Sequence, residues 1–185
     1  MILIIGLGNP GKQYQNNRHN IGFKIIDQVQ TEFDLPKFIT DKKLLAEISK
    51  KQNIILAKPL TYMNNSGQAV QLIKKYYQLK LSEIIIIHDD LDLKLGKIRI
   101  SKNSSSGGNQ GVNSIIKYLK SKNFIRLRIG IANELRKKIP AEKFVLQNFT
   151  KAENQELIKV SEQCLEIIKE FSNHKPLAQI QNQFN

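Results

Sequence analysis

The sequence contains one unbroken run of four isoleucines, Ile84 to Ile87, which is followed directly by the acidic stretch HDDLDL. A short β-branched run of this kind is typical of a strand buried on both faces, and the charges after it predict that the strand ends there. Residues 1–6 form a second apolar run, which leads into the glycine-rich loop GLGNPG. Buried strands with polar loops at their carboxyl ends indicate an open sheet whose loops are placed to bind a ligand.

Helical and extended patterns alternate along the rest of the chain. Amphipathic helices are predicted over residues 21–33, from Asn65 or Ser66 to near Tyr77, over 112–119 and 151–171, and after Pro176. Further strands are predicted over residues 44–49, 53–58, 97–101 and 126–132. This interleaving predicts an α/β fold in which a mixed, mostly parallel twisted sheet is flanked by helices. No internal repeat or long linker interrupts the pattern, so residues 1–185 are expected to form a single domain.

Composition narrows the range of partners. The chain has 29 Lys and Arg against 16 Asp and Glu, a formal net charge of +13. Such an excess favours a polyanionic partner such as nucleic acid, although a solvated surface or the lysine bias of an A/T-rich genome would give the same count. The single cysteine, Cys164, cannot form an internal disulfide and falls in a helical pattern, so it is predicted to be a buried structural thiol.

The chain shows no pattern of a membrane protein. Its apolar runs are far shorter than the roughly 20 residues of a membrane span, and its first residues lack the layout of a signal peptide. We therefore expect a cytoplasmic protein without a membrane partner.

The loop from Gly6 to Gln13 partly matches two nucleotide-binding patterns and satisfies neither. Read as GxGxxG, it has Pro10 before the third glycine, no helix pattern until about Asn20, and Asp27 in the middle of a helix where the motif needs an acid after a second strand. Read as a phosphate-binding P-loop, it has Gln13 where a hydroxyl must bind magnesium.

A third interpretation fits the whole segment. The stretch GLGNPGKQYQNNRHNIGF resembles the N-terminal signature of the bacterial peptidyl-tRNA hydrolase family. Further blocks of that family follow in order, namely KPLTYMNNSG (58–67), HDDLDL (88–93), GGNQGVNSI (107–115), FIRLRIGI (124–131) and KFVLQNF (143–149). The resemblance implies a peptidyl-tRNA hydrolase-like, phosphorylase/hydrolase-like fold. It also implies a monomer without cofactor or metal that hydrolyses the ester between a peptide and the 3′ ribose of tRNA, recycling tRNA from stalled ribosomes.

Hydrolysis of such an ester needs an activated water and a place for developing negative charge. His19 can take the proton near neutral pH if a carboxylate fixes its tautomer, and Asp89, at the end of the isoleucine strand, is the candidate orienting acid. The resemblance implies the same two roles. His88 is expected to turn to the opposite side of the strand and to be structural, and His174 to be solvated.

The resemblance implies further residues at the site. Asn9 would read the blocked, peptide-bearing amino group and is counted with the catalytic residues, while Asn64 would contact the peptide end and support the transition state. Met63 would pack beside the general base. Tyr14 and Tyr62 would line the cleft, where their rings can stack on the terminal bases or ribose.

The chain departs from the family at one motif. Asn109 and Gln110 stand where the family usually has His-Asn, and the longer Gln110 side chain would shift its hydrogen bonds by about 1 Å. Both are predicted to contact substrate or tRNA, and the serines 104–106 to form a lid or simply a mobile connection. By resemblance, Lys102 and Arg128 would hold phosphates of the acceptor arm next to the 3′ CCA end.

Two other functions stay open from the sequence. The Asn109-Gln110 pair allows a non-catalytic RNA-binding or RNA-processing protein on the same fold. A metal-dependent phosphoesterase would use His88, Asp89, Asp90 and Asp92, but alternate residues of an extended chain point to opposite sides.

Overall fold

The computed structural model describes every residue from 1 to 185 and contains seven strands and six α-helices. The strands are β1 (Ile2–Gly6), β2 (Ile39–Asp41), β3 (Ala46–Lys51), β4 (Ile54–Pro59), β5 (Ile84–Lys94), β6 (Ile98–Lys102) and β7 (Ile125–Ala132). The helices are α1 (Ile21–Glu32), α2 (Ser66–Tyr76), α3 (Gln110–Leu119), α4 (Ala141–Val145), α5 (Lys151–Ser172) and α6 (Leu177–Phe184). None of these helices combines the length and the apolar character needed to cross a bilayer.

The seven strands form one mixed sheet in the order β2-β3-β4-β1-β5-β7-β6. The four central strands, β4, β1, β5 and β7, run parallel to one another. The outer strands β2, β3 and β6 pair antiparallel with their neighbours. The predicted α/β fold with a mixed sheet is therefore confirmed, and its parallel part is the central block of strands.

Helices cover both faces of the sheet. Helices α1 and α5 pack on one face around a core cluster of 24 buried residues, and α2 and α3 cover the other face around a cluster of 16. The isoleucine run alternates between them, with Ile85 and Ile87 in the first cluster and Ile84 and Ile86 in the second. Burial on both faces explains why this strand is continuously apolar. Cys164 lies in the first cluster, as predicted, and burial raises the pKa of its thiol.

Strand β5 does not end at the isoleucine run, contrary to the prediction from the acidic stretch. It continues to Lys94 and pairs with β7, with an irregularity between Asp90 and Lys94. Backbone pairing with a neighbouring strand overrides the low strand propensity of aspartate here. Asp89 and Asp90 are therefore buried and held on a strand rather than exposed on a turn.

Three other elements differ from the sequence prediction. Helix α3 begins at Gln110 rather than at Val112, because the Asn109 side chain caps it and draws the end of the glycine-rich loop into the helix. Helix α4, with 5 residues, and strand β2, with 3, were not predicted. Segments this short carry too few residues to show a hydrophobic period.

Two glycines set the position of α1 over the sheet. A Cβ on Gly22, in the first turn of α1, would lie 2.5 Å from the Ile87 carbonyl oxygen and 2.5 Å from the Leu7 amide nitrogen. A Cβ on Gly6 would lie 2.3 Å from the Gly22 carbonyl oxygen. Only glycine allows so close an approach. The start of α1, with His19 just before it, is thereby brought against the carboxyl ends of β1 and β5.

Candidate active site

An open cleft of about 490 Å³ lies at the carboxyl edge of β1, β4 and β5. Most of the residues predicted for the site from the sequence line it: Asn9, His19, Tyr62, Met63, Asn64, Asp89, Asn109 and Gln110. The remaining three predicted residues, Tyr14, Lys102 and Arg128, do not line it. The loop after β1, the loop after β4, strand β5 and the start of α3 converge on this cleft.

His19 and Asp89 are in direct contact. His19 Nδ1 donates to both carboxylate oxygens of Asp89, at 2.9 Å each, and the Asp89 side chain is almost fully buried. Because Nδ1 carries the hydrogen in this pair, Nε2 is the nitrogen left to accept a proton. Burial, the largest influence, would lower the pKa of His19, but the charge and hydrogen bond of Asp89 outweigh it and raise the pKa above 6.5.

Asn9 is fixed by three hydrogen bonds. Its Oδ1 accepts from the Met63 amide at 2.9 Å, and its backbone exchanges two 2.9 Å bonds with the side chain of Asn20. Since Oδ1 already has a partner, Asn9 presents its Nδ2 donor to the cleft. The run RHN predicts Asn20 beside His19 at the mouth of β1, but its two bonds to the Asn9 backbone were not predicted.

The loop after β4 supplies one buried and two exposed side chains to the cleft. Tyr62 has a positive φ of 57° and is 55% exposed, and its neighbour Asn64 is also exposed. Met63 is buried beneath the site, where a Cβ on Gly111 would meet its sulfur at 2.4 Å. Tyr14 packs edge-to-face on Tyr62 with the ring centroids 6.4 Å apart, so it supports the Tyr62 ring instead of lining the cleft as predicted.

Asn109 makes contacts that the sequence did not predict. Its Nδ2 donates to Asp89 Oδ1 at 2.9 Å and to the Asp89 carbonyl oxygen at 3.2 Å, and its Oδ1 accepts from the Val112 amide at 3.1 Å. The amide is thus bound within the protein, whereas the sequence predicted a contact with substrate or tRNA. Gln110, the first residue of α3, lines the cleft.

His88 faces away from the site, as expected for a structural residue. It is fully buried, and its Nδ1 donates to the Asp89 carbonyl oxygen at 2.7 Å. Burial is the main cause that lowers the pKa of His88 to about 4, so the ring is neutral near pH 7.

The two predicted phosphate-binding cations are placed differently from one another. Lys102 ends strand β6 and is partly exposed. Arg128 on β7 donates from Nε to Asp90 Oδ2 at 2.7 Å, and both side chains are largely buried. Arg128 is therefore an ion-pair partner of Asp90 through Nε, and its contact with a tRNA phosphate stays a prediction.

The donors of the metal hypothesis do not converge. His88 is turned away, Asp89 holds His19, and Asp90 holds Arg128. No group of three or more His, Cys, Asp or Glu side chains is arranged to hold a metal ion. This geometry contradicts the phosphoesterase set of His88, Asp89, Asp90 and Asp92.

Helix α4 and the residue after it form a wall that the sequence did not predict. Ala141, Val145 and Leu146 line the cleft together with Leu91 of β5, and Glu142 adds one carboxylate. The segment 143–149 matched a family block, but nothing in its pattern indicated that it faces the site. Apart from Glu142, the side chains of this wall are apolar.

Arg18 anchors the turn that carries His19. Its two terminal nitrogens donate to the two carboxylate oxygens of Glu153 at 3.0 and 2.9 Å, and both side chains are buried. The guanidinium also lies over the rings of Phe144 and Phe149, 4.6 and 4.9 Å from their centroids. A bidentate buried pair of this kind fixes geometry as well as charge, so the start of α5 holds the residue beside the imidazole.

Comparison with known proteins shows which family this chain is similar to over its whole length. The sequence pattern of the peptidyl-tRNA hydrolase family matches residues 3–185. The chain is 40% identical over 187 residues to a peptidyl-tRNA hydrolase of Mycoplasma mycoides and 37% identical over 190 residues to one of Listeria welshimeri, with 100% of both chains covered in each case. A crystal structure of peptidyl-tRNA hydrolase from Acinetobacter baumannii is similar with a TM-score of 0.90 at 32% identity, covering 100% of this chain and 94% of that one. A second, a complex of peptidyl-tRNA hydrolase with N-propanol, has a TM-score of 0.92.

Proposed function

The chain belongs to the peptidyl-tRNA hydrolase family and hydrolyses the ester between a peptide or N-blocked amino acid and the 3′ ribose of tRNA, and we propose that His19 is the general base of this reaction and Asp89 its orienting acid. The observation that supports the proposal is the direct bond between His19 Nδ1 and the buried Asp89 carboxylate at the edge of an open cleft. The reaction recycles tRNA from peptidyl-tRNA released by stalled ribosomes.

In the proposed reaction, His19 Nε2 takes a proton from a water molecule whose oxygen attacks the ester carbonyl carbon. Asp89 stays ionised and stabilises the imidazolium that forms, without itself taking the proton. When the tetrahedral intermediate collapses, the bond between the carbonyl carbon and the ribose oxygen breaks. The imidazolium then returns its proton to the leaving ribose oxygen, which restores neutral His19.

The amides of the cleft are proposed to hold the peptide end of the substrate. Asn9 presents its Nδ2 donor because Met63 already occupies its Oδ1, so it is suited to donate to a carbonyl or a developing oxyanion. Asn64 is exposed on the same cleft and is proposed to bind the peptide and to support the transition state. Tyr62, supported by Tyr14, is proposed to stack on a terminal base or ribose.

The tRNA itself is proposed to bind with its 3′ CCA end near Gln110 and its acceptor-arm phosphates on cations outside the cleft. Lys102 is the preferred candidate, because Asp90 already neutralises Arg128. We also propose that residues 1–185 act as a single domain in a cytoplasmic monomer.

The test is release of an N-blocked amino acid from its tRNA by wild type, His19→Ala and His174→Ala, with and without EDTA. His174 is exposed near the C-terminus and is the matched control for loss of an imidazole. We expect His19→Ala to lose about 10²- to 10⁴-fold in kcat, the usual contribution of a general base, with no loss for His174→Ala or with EDTA. An active His19→Ala would refute the base assignment, and inhibition by EDTA would favour a metal site.

The non-catalytic RNA-binding alternative gains no support. It depended on the Asn109-Gln110 pair, and Asn109 binds the orienting acid of the proposed base. A protein that only binds RNA has no need for a buried carboxylate held against an imidazole.

A further inference from the structure

We propose that Asn109 is a positioning residue, which fixes the carboxylate of Asp89 and through it the imidazole of His19. This inference rests on the roles proposed above for His19 and Asp89 and adds a third residue to them. It replaces the prediction from the sequence that Asn109 contacts substrate or tRNA.

The hydrogen bonds of Asp89 support this assignment. Oδ1 accepts from His19 Nδ1 and from Asn109 Nδ2, both at 2.9 Å, so the carboxylate has a second donor that is independent of the imidazole. One donor leaves a carboxylate free to turn about its Cβ–Cγ bond, whereas two donors from different elements define its plane. Asn109 also donates to the carbonyl oxygen of Asp89, at 3.2 Å, and so ties the backbone and the side chain of one residue together.

The amide of Asn109 has no donor to spare for a substrate. An asparagine amide has two N–H groups, and both acceptors at Asn109 belong to Asp89. Its Oδ1 is bound to the Val112 amide in the first turn of α3. A direct contact with substrate through Nδ2 would therefore have to break a bond to the orienting acid.

The surrounding backbone holds the amide in this orientation. The Asn109 N–H donates to the Ser106 carbonyl oxygen at 3.2 Å, and Gly111 lets α3 sit against Met63, where any Cβ would meet the sulfur at 2.4 Å. With Oδ1 directed to the helix amide, Nδ2 must point to Asp89. The Asn109 side chain thus caps α3 and also orients the Asp89 carboxylate.

The experiment separates these two tasks of Asn109. Serine and aspartate cap helices as well as asparagine, so Asn109→Ser and Asn109→Asp should keep the cap, while Asn109→Ala loses it. Serine is too short to reach Asp89, and aspartate replaces the donor by a second negative charge. Asn123→Asp is the matched charge control, because Asn123 is exposed just before β7, at the opposite edge of the sheet from the cleft.

We expect Asn109→Ser to lose about 10- to 100-fold in kcat at unchanged KM and unchanged Tm, as a misplaced catalytic group does. Asn109→Asp should lose more, and the acidic limb of its pH profile should move to higher pH, because a second carboxylate favours the imidazolium form of His19. The other ionisable groups around the site are the Asp90–Arg128 pair, His88, Arg126 and Glu142, which are the same in every variant. Asn123→Asp should behave as wild type.

Two results would overturn the positioning role. A higher KM at unchanged kcat in Asn109→Ser would make Asn109 a substrate contact, and wild-type kinetics in both capping variants would leave it only a helix cap. An inactive His19→Ala together with wild-type kinetics in Asn109→Ser would refute this inference alone and leave the proposed function standing.

Discussion

At the scale of single residues, the pKa of His19 is set by two opposing effects. Burial favours the neutral ring, and the adjacent Asp89 carboxylate favours the charged ring and outweighs burial. A general base must be neutral to act, so kcat/KM should fall as pH decreases through a value above 6.5. The carboxylate therefore makes the base stronger but requires a higher pH for it to be active.

Asp89→Asn should move the acidic limb of the pH profile, where kcat/KM falls as pH decreases, to lower pH. The substitution removes the charge that raises the pKa of His19 and leaves burial, which lowers it. It also removes the stabilisation of the imidazolium, so kcat at the plateau should fall by about 10²- to 10⁴-fold. A profile of kcat/KM against pH for wild type and Asp89→Asn checks both effects. An acidic limb that stays in place would mean that a group other than His19 controls it.

The contact between His19 and Asp89 was predictable at this scale because both residues stand in recognisable sequence blocks, RHNIGF and HDDLDL. The contact between Asn109 and Asp89 was not predictable in this way. The bond of Asn109 to Asp89 depends on which rotamer the amide takes once its oxygen caps α3, and a sequence pattern does not report rotamers. Arg128 shows the same limit, since a basic residue in the expected block is paired with Asp90 only in the folded chain.

At the scale of elements, the turn with His19 depends on the start of α5. Glu153 accepts both hydrogen bonds from Arg18 and others from Thr150 and Asn133. Burial, the largest influence, would raise the pKa of Glu153, but these hydrogen bonds and the charge of Arg18 outweigh it and lower the pKa below 4.5. The pair therefore stabilises the fold above the unfolded pKa, near 4.5, and this contribution is lost as pH falls through the lower folded value.

Glu153→Ala should lower the free energy of unfolding at pH 7 by about 3–5 kcal/mol, because Arg18 would stay buried without a counter-charge. The difference from wild type should shrink in acid, where Glu153 is protonated in both states. Urea unfolding at pH 7 and in acid measures both. Glu170→Ala on the same helix is the control, since its bond to Lys175 is partly exposed and should contribute less than about 1 kcal/mol. Equal effects of the two substitutions would refute the anchoring role of Arg18.

The elements themselves were largely predictable where the sequence shows hydrophobic periodicity over several helical turns, as in α1 and α5, or an uninterrupted apolar run, as in the isoleucine strand. The continuation of β5 beyond the run was not, because β7 stabilises it from a distant part of the sequence. Helix α4 forms a wall of the cleft but is too short to show a period. Tertiary contacts decide these cases, so local sequence carries little signal for them.

At the scale of the whole molecule, the positively charged side chains lie apart from the cleft. The chain carries a net charge of +13, yet no Lys or Arg lines the cleft. The excess of positive charge therefore lies outside the cleft, where we propose that it attracts the phosphates of a tRNA. The cleft itself is lined by amides, an imidazole, three carboxylates and apolar side chains.

Salt should therefore weaken binding of the tRNA body without impairing the chemical step. Each phosphate contact contributes about 0.7 to 0.9 to the slope of log affinity against log salt, so KM for N-blocked aminoacyl-tRNA should rise steeply with salt. The value of kcat at saturating substrate should stay nearly constant, because the bond between His19 and the buried Asp89 is screened little. An N-blocked aminoacyl ester of adenosine, which lacks the tRNA body, is the control and should show a KM that hardly changes with salt. A flat response of the full substrate would mean that the basic surface does not bind tRNA, and an equal response of both substrates would place the salt effect inside the cleft.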